Sequence, residues 1–181
     1  MKLEMRTLKN IAAAAMTLAV VFGAASLKPV TANAAEASVS ASIEEENSYI
    51  SFQDEAYQNE FLRRVNNERA KYGLQPLVMG DAKLTAAAQQ RAEEIATVNS
   101  HVRPNGTKWY TVLSEYGVTD AAAGENAAWG NVSPEEVVNA WMNSEGHRAN
   151  ILDPEARAMG VGYYYNSSST WGHQWIQLFT K

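Results

Sequence analysis

Met159 to Tyr165 and Trp171 to Phe179 repeat with a period of two and are rich in aromatic and β-branched residues, with Asn166-Ser167-Ser168-Ser169 between them. That period and that turn predict an antiparallel hairpin. The segments before it repeat at helical spacing. Helices first and strands late predict an α+β domain in which helices cover a small antiparallel sheet. No internal repeat is present.

Tyr57, Phe61, Val65 and Tyr72, with Leu62 beside them, form a helical stripe from Asp54 to Tyr72 that Gly73 ends. Tyr57, Phe61 and Tyr72 are expected in the core. A second helix is expected from Asp81 to about Asn99, capped by Asp81, with Leu84, Ala88, Ala92 and Ile95 on one face. Its end delivers His101, and Pro104 with Asn105-Gly106 turns the chain directly afterwards. Trp109 to Tyr116 is read as a short helix ended by Gly117, and Ala121 to Asn126 as a tight small-residue passage carrying Glu125. Ser133-Pro134-Glu135-Glu136 is the clearest local signal: an N-cap, a proline where its missing N–H does no harm, and a capping-box glutamate. Val137, Val138 and Trp141 line the buried face of the helix that follows.

Lys2, Arg6 and Lys9 precede an uncharged run from Ile11 to Leu27 and then Ala32-Asn33-Ala34. This order predicts a secretory signal peptide, residues 1–34, cleaved after Ala34. The alternative is an uncleaved anchor, because the run is about as long as the shortest spanning helices. Residues 35–53, with Glu44-Glu45-Glu46 at their centre, read as a flexible acidic spacer, and 54–181 as the folded domain. Cleavage removes Lys2, Arg6, Lys9, Lys28 and Glu4, taking the formal charge from −5 to −8. An exported protein so acidic is not expected to bind nucleic acid or an anionic membrane surface, which need clustered Lys and Arg. The expected location is secreted or associated with the cell envelope, with no stable membrane span after cleavage. The chain has no cysteine, so its stability must come from packing.

In a thiol-free chain a late transition metal has imidazole and carboxylate to bind, and only His101, His147 and His173 supply imidazole. His101 and His147 fall in turn-like segments at helix ends. Two imidazoles and Glu125 with an open position match the composition of a catalytic zinc site, although their spacing fits no compact motif. The bland alternatives are satisfied helix-end or surface histidines, and for Glu125 a solvated loop charge or an acceptor for backbone N–H groups. Ser144 or Ser100 beside a histidine is the nucleophilic alternative, but neither lies in G-x-S-x-G.

At these residues the chain resembles the CAP superfamily, the cysteine-rich secretory, antigen 5 and pathogenesis-related group, in its compact bacterial exported form. The words that carry the resemblance run in order from Tyr57 to Phe179. They are Asn66-Asn67-Glu68-Arg69, Gly73-Leu74-Gln75-Pro76-Leu77, His101, Gly124-Glu125-Asn126, Ala140-Trp141, Ser144 to Leu152, Gly160-Val161-Gly162 and Trp175-Ile176-Gln177-Leu178-Phe179. The resemblance implies an α-β-α sandwich with an open cleft where two histidines and two glutamates gather. It places His101, Glu125 and His147 at three of those positions, with the histidines as the expected ligands of zinc. At the fourth, where many members have Trp-x-x-Glu, this chain has Trp141-Met142-Asn143-Ser144, and Glu145 falls one residue late, about 100° around a helix.

Three functions are consistent with this reading. The first is an exported binding module whose acidic cleft, formed by His101, Glu125, His147, Ser144 and Glu145, holds a divalent metal and an extracellular or cell-envelope ligand. The second is a metal-assisted hydrolase of peptide or envelope material with Glu125 as general base. The third, which the resemblance alone implies, is a lipid or sterol carrier.

Overall fold

The structure, a computed structural model, describes residues 55–181. The expected signal peptide, the spacer and Asp54 lie outside the described residues. Among the described residues five helices and four strands follow in chain order: α1 Glu55–Lys71, β1 Val78–Met79, α2 Ala82–Ile95, α3 Thr111–Glu115, β2 Ala122–Trp129, α4 Pro134–Met142, α5 Glu145–Ile151, β3 Ala158–Asn166 and β4 Gly172–Thr180. The fold class is α+β, as expected. The sheet is mixed, in the order β1-β3-β4-β2, with β1 parallel to β3 and the other pairs antiparallel. To the expected small antiparallel sheet the structure adds one parallel edge strand, β1, whose two residues are too few to show a period.

Alternation along the central strands divides the interior into two cores. Met159, Val161, Tyr163, Trp175 and Phe179 meet Phe61 and Val65 of α1, Val137, Val138 and Trp141 of α4, and Ile151 of α5. Ile176 and Leu178 turn the other way, to Leu84, Ala88, Ala92 and Ile95 of α2 and Val112 and Leu113 of α3. Gly160 and Gly162 lie under α2, where an added Cβ would stand 2.7 Å from the Leu84 carbonyl oxygen and 2.1 Å from that of Ala88. The Gly-x-Gly of β3 therefore lets helix backbone rest on strand backbone.

The sequence signals for the helix ends hold. Gly73, at φ +69°, closes α1 with a Schellman pattern in which Leu74 N–H donates to Arg69 C=O and Gly73 N–H to Ala70 C=O. Asp81 accepts from the N–H groups of Lys83 and Leu84. Ser133 accepts from Glu136 N–H, while the Glu136 carboxylate reaches back to Val132 N–H, one residue earlier than in the usual capping box.

Four local expectations are corrected. Tyr72, expected in the core, lies beyond the end of α1 and is 59% exposed. The second helix stops at Ile95 rather than Asn99, its last carbonyl capped by the Trp129 indole N–H. Trp171 falls outside the hairpin strands and is also exposed. Residues 122–126 are not a loop but the first part of β2, hydrogen-bonded to β4. Strand propensity could not show this last one, because Ala122–Trp129 holds no β-branched residue.

Candidate functional site

An edge strand carries the centre of the site. β2 pairs with β4 on one side only, and its alternation sends Glu125 toward α2 and sends Gly124 and Asn126 toward α5. The two helical layers meet across this edge. A Cβ on Gly124 would stand 2.8 Å from the Asn150 side chain, so glycine is needed for α5 to approach. Asn126, fully buried, donates to the His147 carbonyl and to Gln177 Oε1, and accepts from Asn150 Nδ2. Asn150 Nδ2 also reaches the Glu125 carbonyl, and the Trp141 indole donates to that of Ala127, so the open edge of β2 is partly covered. Gly124 and Asn126 thus place α5, and with it His147, against the strand.

On the other side Glu125 is enclosed. Arg91 Nε donates to Oε2 at 2.8 Å and Nη2 to Oε1 at 3.2 Å, and both side chains have no exposed surface. His101 Nδ1 stands 2.7 Å from Oε1. With its proton on Nδ1 the imidazole donates to this carboxylate and turns Nε2 away from it. The His101 side chain is 57% exposed. A half-open imidazole oriented by a buried carboxylate therefore faces solvent.

The loop that presents His101 is itself anchored. The Trp109 N–H donates to the His101 carbonyl, and Val102 and Lys108 bridge across the turn at Gly106. Inside the turn Arg103, 4% exposed, binds Glu94, Glu115 and the Thr111 hydroxyl. Glu94 in turn accepts from Arg91 Nη1 at 2.6 Å. A continuous line of hydrogen-bonded side chains, His101, Glu125, Arg91, Glu94, Arg103 and Glu115, runs from the site down the side of α2.

The two site histidines are pushed apart in basicity. The hydrogen bond to Glu125 lifts His101 above the usual histidine range, against the opposing effects of burial and of Arg91. Burial, and then the charge of His101, press His147 below it.

His147 lies within α5 rather than in a turn, a correction to the sequence reading. Ser144 is the N-cap position of α5, but its side chain makes no capping hydrogen bond, and Glu145 opens the helix as an exposed residue. His173 stands apart on β4, bonded through Nδ1 to the Tyr163 hydroxyl and packed edge-on against Tyr165. Arg91 was missing from the sequence reading. The signal for it was present: residue 91 falls in the same helical register as Leu84, Ala88, Ala92 and Ile95, where a lone charge needs a buried partner.

The donor set fits a metal only in part. Among the described residues no group of three or more His, Asp or Glu side chains is arranged to hold an ion. Glu125 is engaged by Arg91 and His101, which casts it as the partner that orients an imidazole rather than as a ligand. His101 Nε2 and the His147 ring are the nitrogens that could serve.

Residues 62–179 match the Cysteine-rich secretory protein family, CAP. The chain belongs to the CAP family. It is 41% identical over 123 residues to YkwD, an uncharacterized protein of Bacillus subtilis (strain 168), covering 67% of this chain and 47% of YkwD. It is 33% identical over 107 residues to the uncharacterized membrane protein YlbC of the same organism, covering 58% of this chain and 31% of YlbC. The chain thus spans about half or less of the length of these curated relatives. Among solved structures it is similar to an extracellular SCP-domain protein from Bacillus anthracis, at 26% identity and a TM-score of 0.59, covering 68% of this chain and 39% of that one. The fold is shared with an outer surface protein from Borrelia burgdorferi, at 21% identity and a TM-score of 0.61, covering 70% of this chain and 93% of that one. Among the described residues no helix is long and apolar enough to cross a membrane.

Proposed function

We propose that this protein is an exported recognition module that binds its ligand at the β2 edge through His101 and His147, with Glu125 and Arg91 as the buried support. The observation that carries the reading is the enclosure of Glu125. A general base needs an oxygen within reach of a water's proton, and both oxygens of Glu125 are hydrogen-bonded in a side chain with no exposed surface. This favours binding over hydrolysis with Glu125 as base. The exported location is supported by the extracellular protein and the outer surface protein whose folds the chain shares.

A divalent ion, zinc first, is the cofactor we propose for this site, held by His101 Nε2 and the His147 ring with its remaining positions open to ligand or water. When bound, the ion would supply a Lewis-acidic anchor for an oxygen or nitrogen of the ligand. With two protein donors the site is expected to bind zinc weakly. Ser144 and Glu145 would border it from the start of α5.

Calorimetric titration of the full chain with zinc, beside the His101→Ala, His147→Ala double variant, tests this. Saturable binding lost in the double variant supports the site. Binding of equal strength in both proteins places the ion elsewhere and overturns the assignment.

A further inference from the structure

At the β1 edge of the sheet, the opposite edge from β2, a cavity of about 280 Å³ opens between β1, the start of α2 and the loop after α3. Val78, Leu84, Val118 and Ala158 form its apolar wall, and Asp81, Lys83 and Asp120 stand around it. It is at the small end of ligand pockets, which run from about 300 to 1,000 Å³, and suits one long side chain rather than a large cofactor.

The charges around it are unequal. The Lys83 ammonium is directed to the Gly117 carbonyl at 3.3 Å. Asp81 uses Oδ1 to cap α2 and keeps its second oxygen. Asp120 is exposed and, among the described residues, makes no hydrogen bond or ion pair. Two carboxylates against one engaged ammonium favour a cationic group.

The adjoining backbone is open as well. β1 is an edge strand, paired with β3 alone. Val78 and Gly80 donate their N–H groups into β3, to Arg157 and Met159, so alternation turns the N–H and C=O of Met79 to the other side. Two residues earlier the same edge is closed, because the Asn66 side-chain amide bonds both the N–H and the C=O of Leu77. At Met79 no such clamp exists among the described residues. Val78 beside it is 61% exposed, which is unusual for a valine in a sheet.

We propose that this edge and cavity form a second binding site, which takes an extended peptide with a lysine or arginine side chain. The peptide adds to β1 through the main-chain groups of Met79. Residues directly opposite in a sheet point to the same face, so the peptide residue facing Val78 sends its side chain to the α2 side, into the cavity. There its stem covers Val78 and Val118, and its charge lies between Asp81 and Asp120. The chain's own Glu44-Glu45-Glu46 has the wrong charge for this place.

The test is amide NMR on the full chain titrated with acetyl-Thr-Val-Lys-Val-Thr-amide, and with the same peptide carrying Glu for Lys. The expected result is saturable shifts at Met79, Gly80 and residues 118–120 with the lysine peptide, lowered in affinity by about tenfold or more for the Glu peptide and for Asp120→Lys. Asp120 is exposed, so that variant keeps its fold. No shift at these amides up to millimolar peptide, or equal shifts with both peptides, overturns the proposal. Shifts at the same amides on concentrating the protein without peptide would assign the edge to a second copy, and overturn it too. Each outcome is independent of zinc binding at His101 and His147.

Discussion

Arg91 and Glu125 face each other through two hydrogen bonds, Nε to Oε2 at 2.8 Å and Nη2 to Oε1 at 3.2 Å, across the gap between α2 and β2. Both side chains are sealed from solvent, and each is the other's main compensation for the loss of water. Removing one member strands a buried charge. Arg91→Met is therefore expected to destabilise the protein by about 3–5 kcal/mol, while Arg91→Met with Glu125→Leu recovers most of that loss. Urea unfolding of the two variants and the parent checks this. A double variant no more stable than the single would show that the pair is not the source of the loss.

Glu94 gives the acid limb of stability a specific source. Burial raises its pKa, but hydrogen bonds from Arg103 and then Arg91 outweigh burial and leave it lowered. A carboxyl with a lowered folded-state pKa contributes stability that is fully present above its unfolded value, about 4.3, and lost as pH falls through the folded value. Glu94→Gln should be less stable than the parent at pH 7, and the gap should narrow below about pH 4. Urea midpoints from pH 7 to 3 measure it, and a gap that stays constant contradicts the assignment.

Gly162 and Gly73 test two different uses of glycine. An alanine methyl at 162 would sit 2.1 Å from a backbone oxygen, so Gly162→Ala must lever α2 off the sheet and is expected to lose about 3 kcal/mol or more. Gly73→Ala meets no atom within 4 Å and bears only the left-handed backbone at φ +69°, about 1–2 kcal/mol. Chemical denaturation ranks the two, and equal losses would reject the close-packing account.

Asn126 ties β2 to α5 with two hydrogen bonds, to the His147 carbonyl and from Asn150, and makes a third to Gln177 of β4. Asn126→Ala leaves the buried Gln177 Oε1 and the His147 carbonyl short of a donor, and about 2–3 kcal/mol of stability should be lost. Hydrogen exchange adds a positional check: protection should fall in α5 around His147 before it falls in α2. Uniform loss would mean that Asn126 does not hold α5 in particular.

Periodicity made most of the helical core legible. Phe61 and Val65, Leu84 to Ile95, and Val137 to Trp141 all occupy the faces that their spacing predicts. Tyr72 breaks the pattern because α1 ends before the residue can turn inward, and helix ends are where a 3.6-residue period stops carrying information. β2 escaped for the opposite reason. Apart from Trp129 its strand is made of Ala, Gly, Glu and Asn, chosen by the close approach of α5 and the enclosure of a carboxylate rather than by propensity. His101, Glu125 and His147 could be nominated from motif order, whereas the partner of Glu125 could not. Arg91 is 34 residues away, and its pairing exists only once α2 lies against the sheet.

The strand order has a consequence for how the molecule is made. β4, the last strand, lies between β3 and β2 and supplies Trp175 and Phe179 to one core and Ile176 and Leu178 to the other. β2 has no sheet partner until Gly172–Thr180 has been made. A chain emerging from a ribosome or a translocation pore amino end first must therefore hold Glu125 and both half-built cores unassembled until residues 172–180 are free. Closure of the domain, in effect, waits on β4.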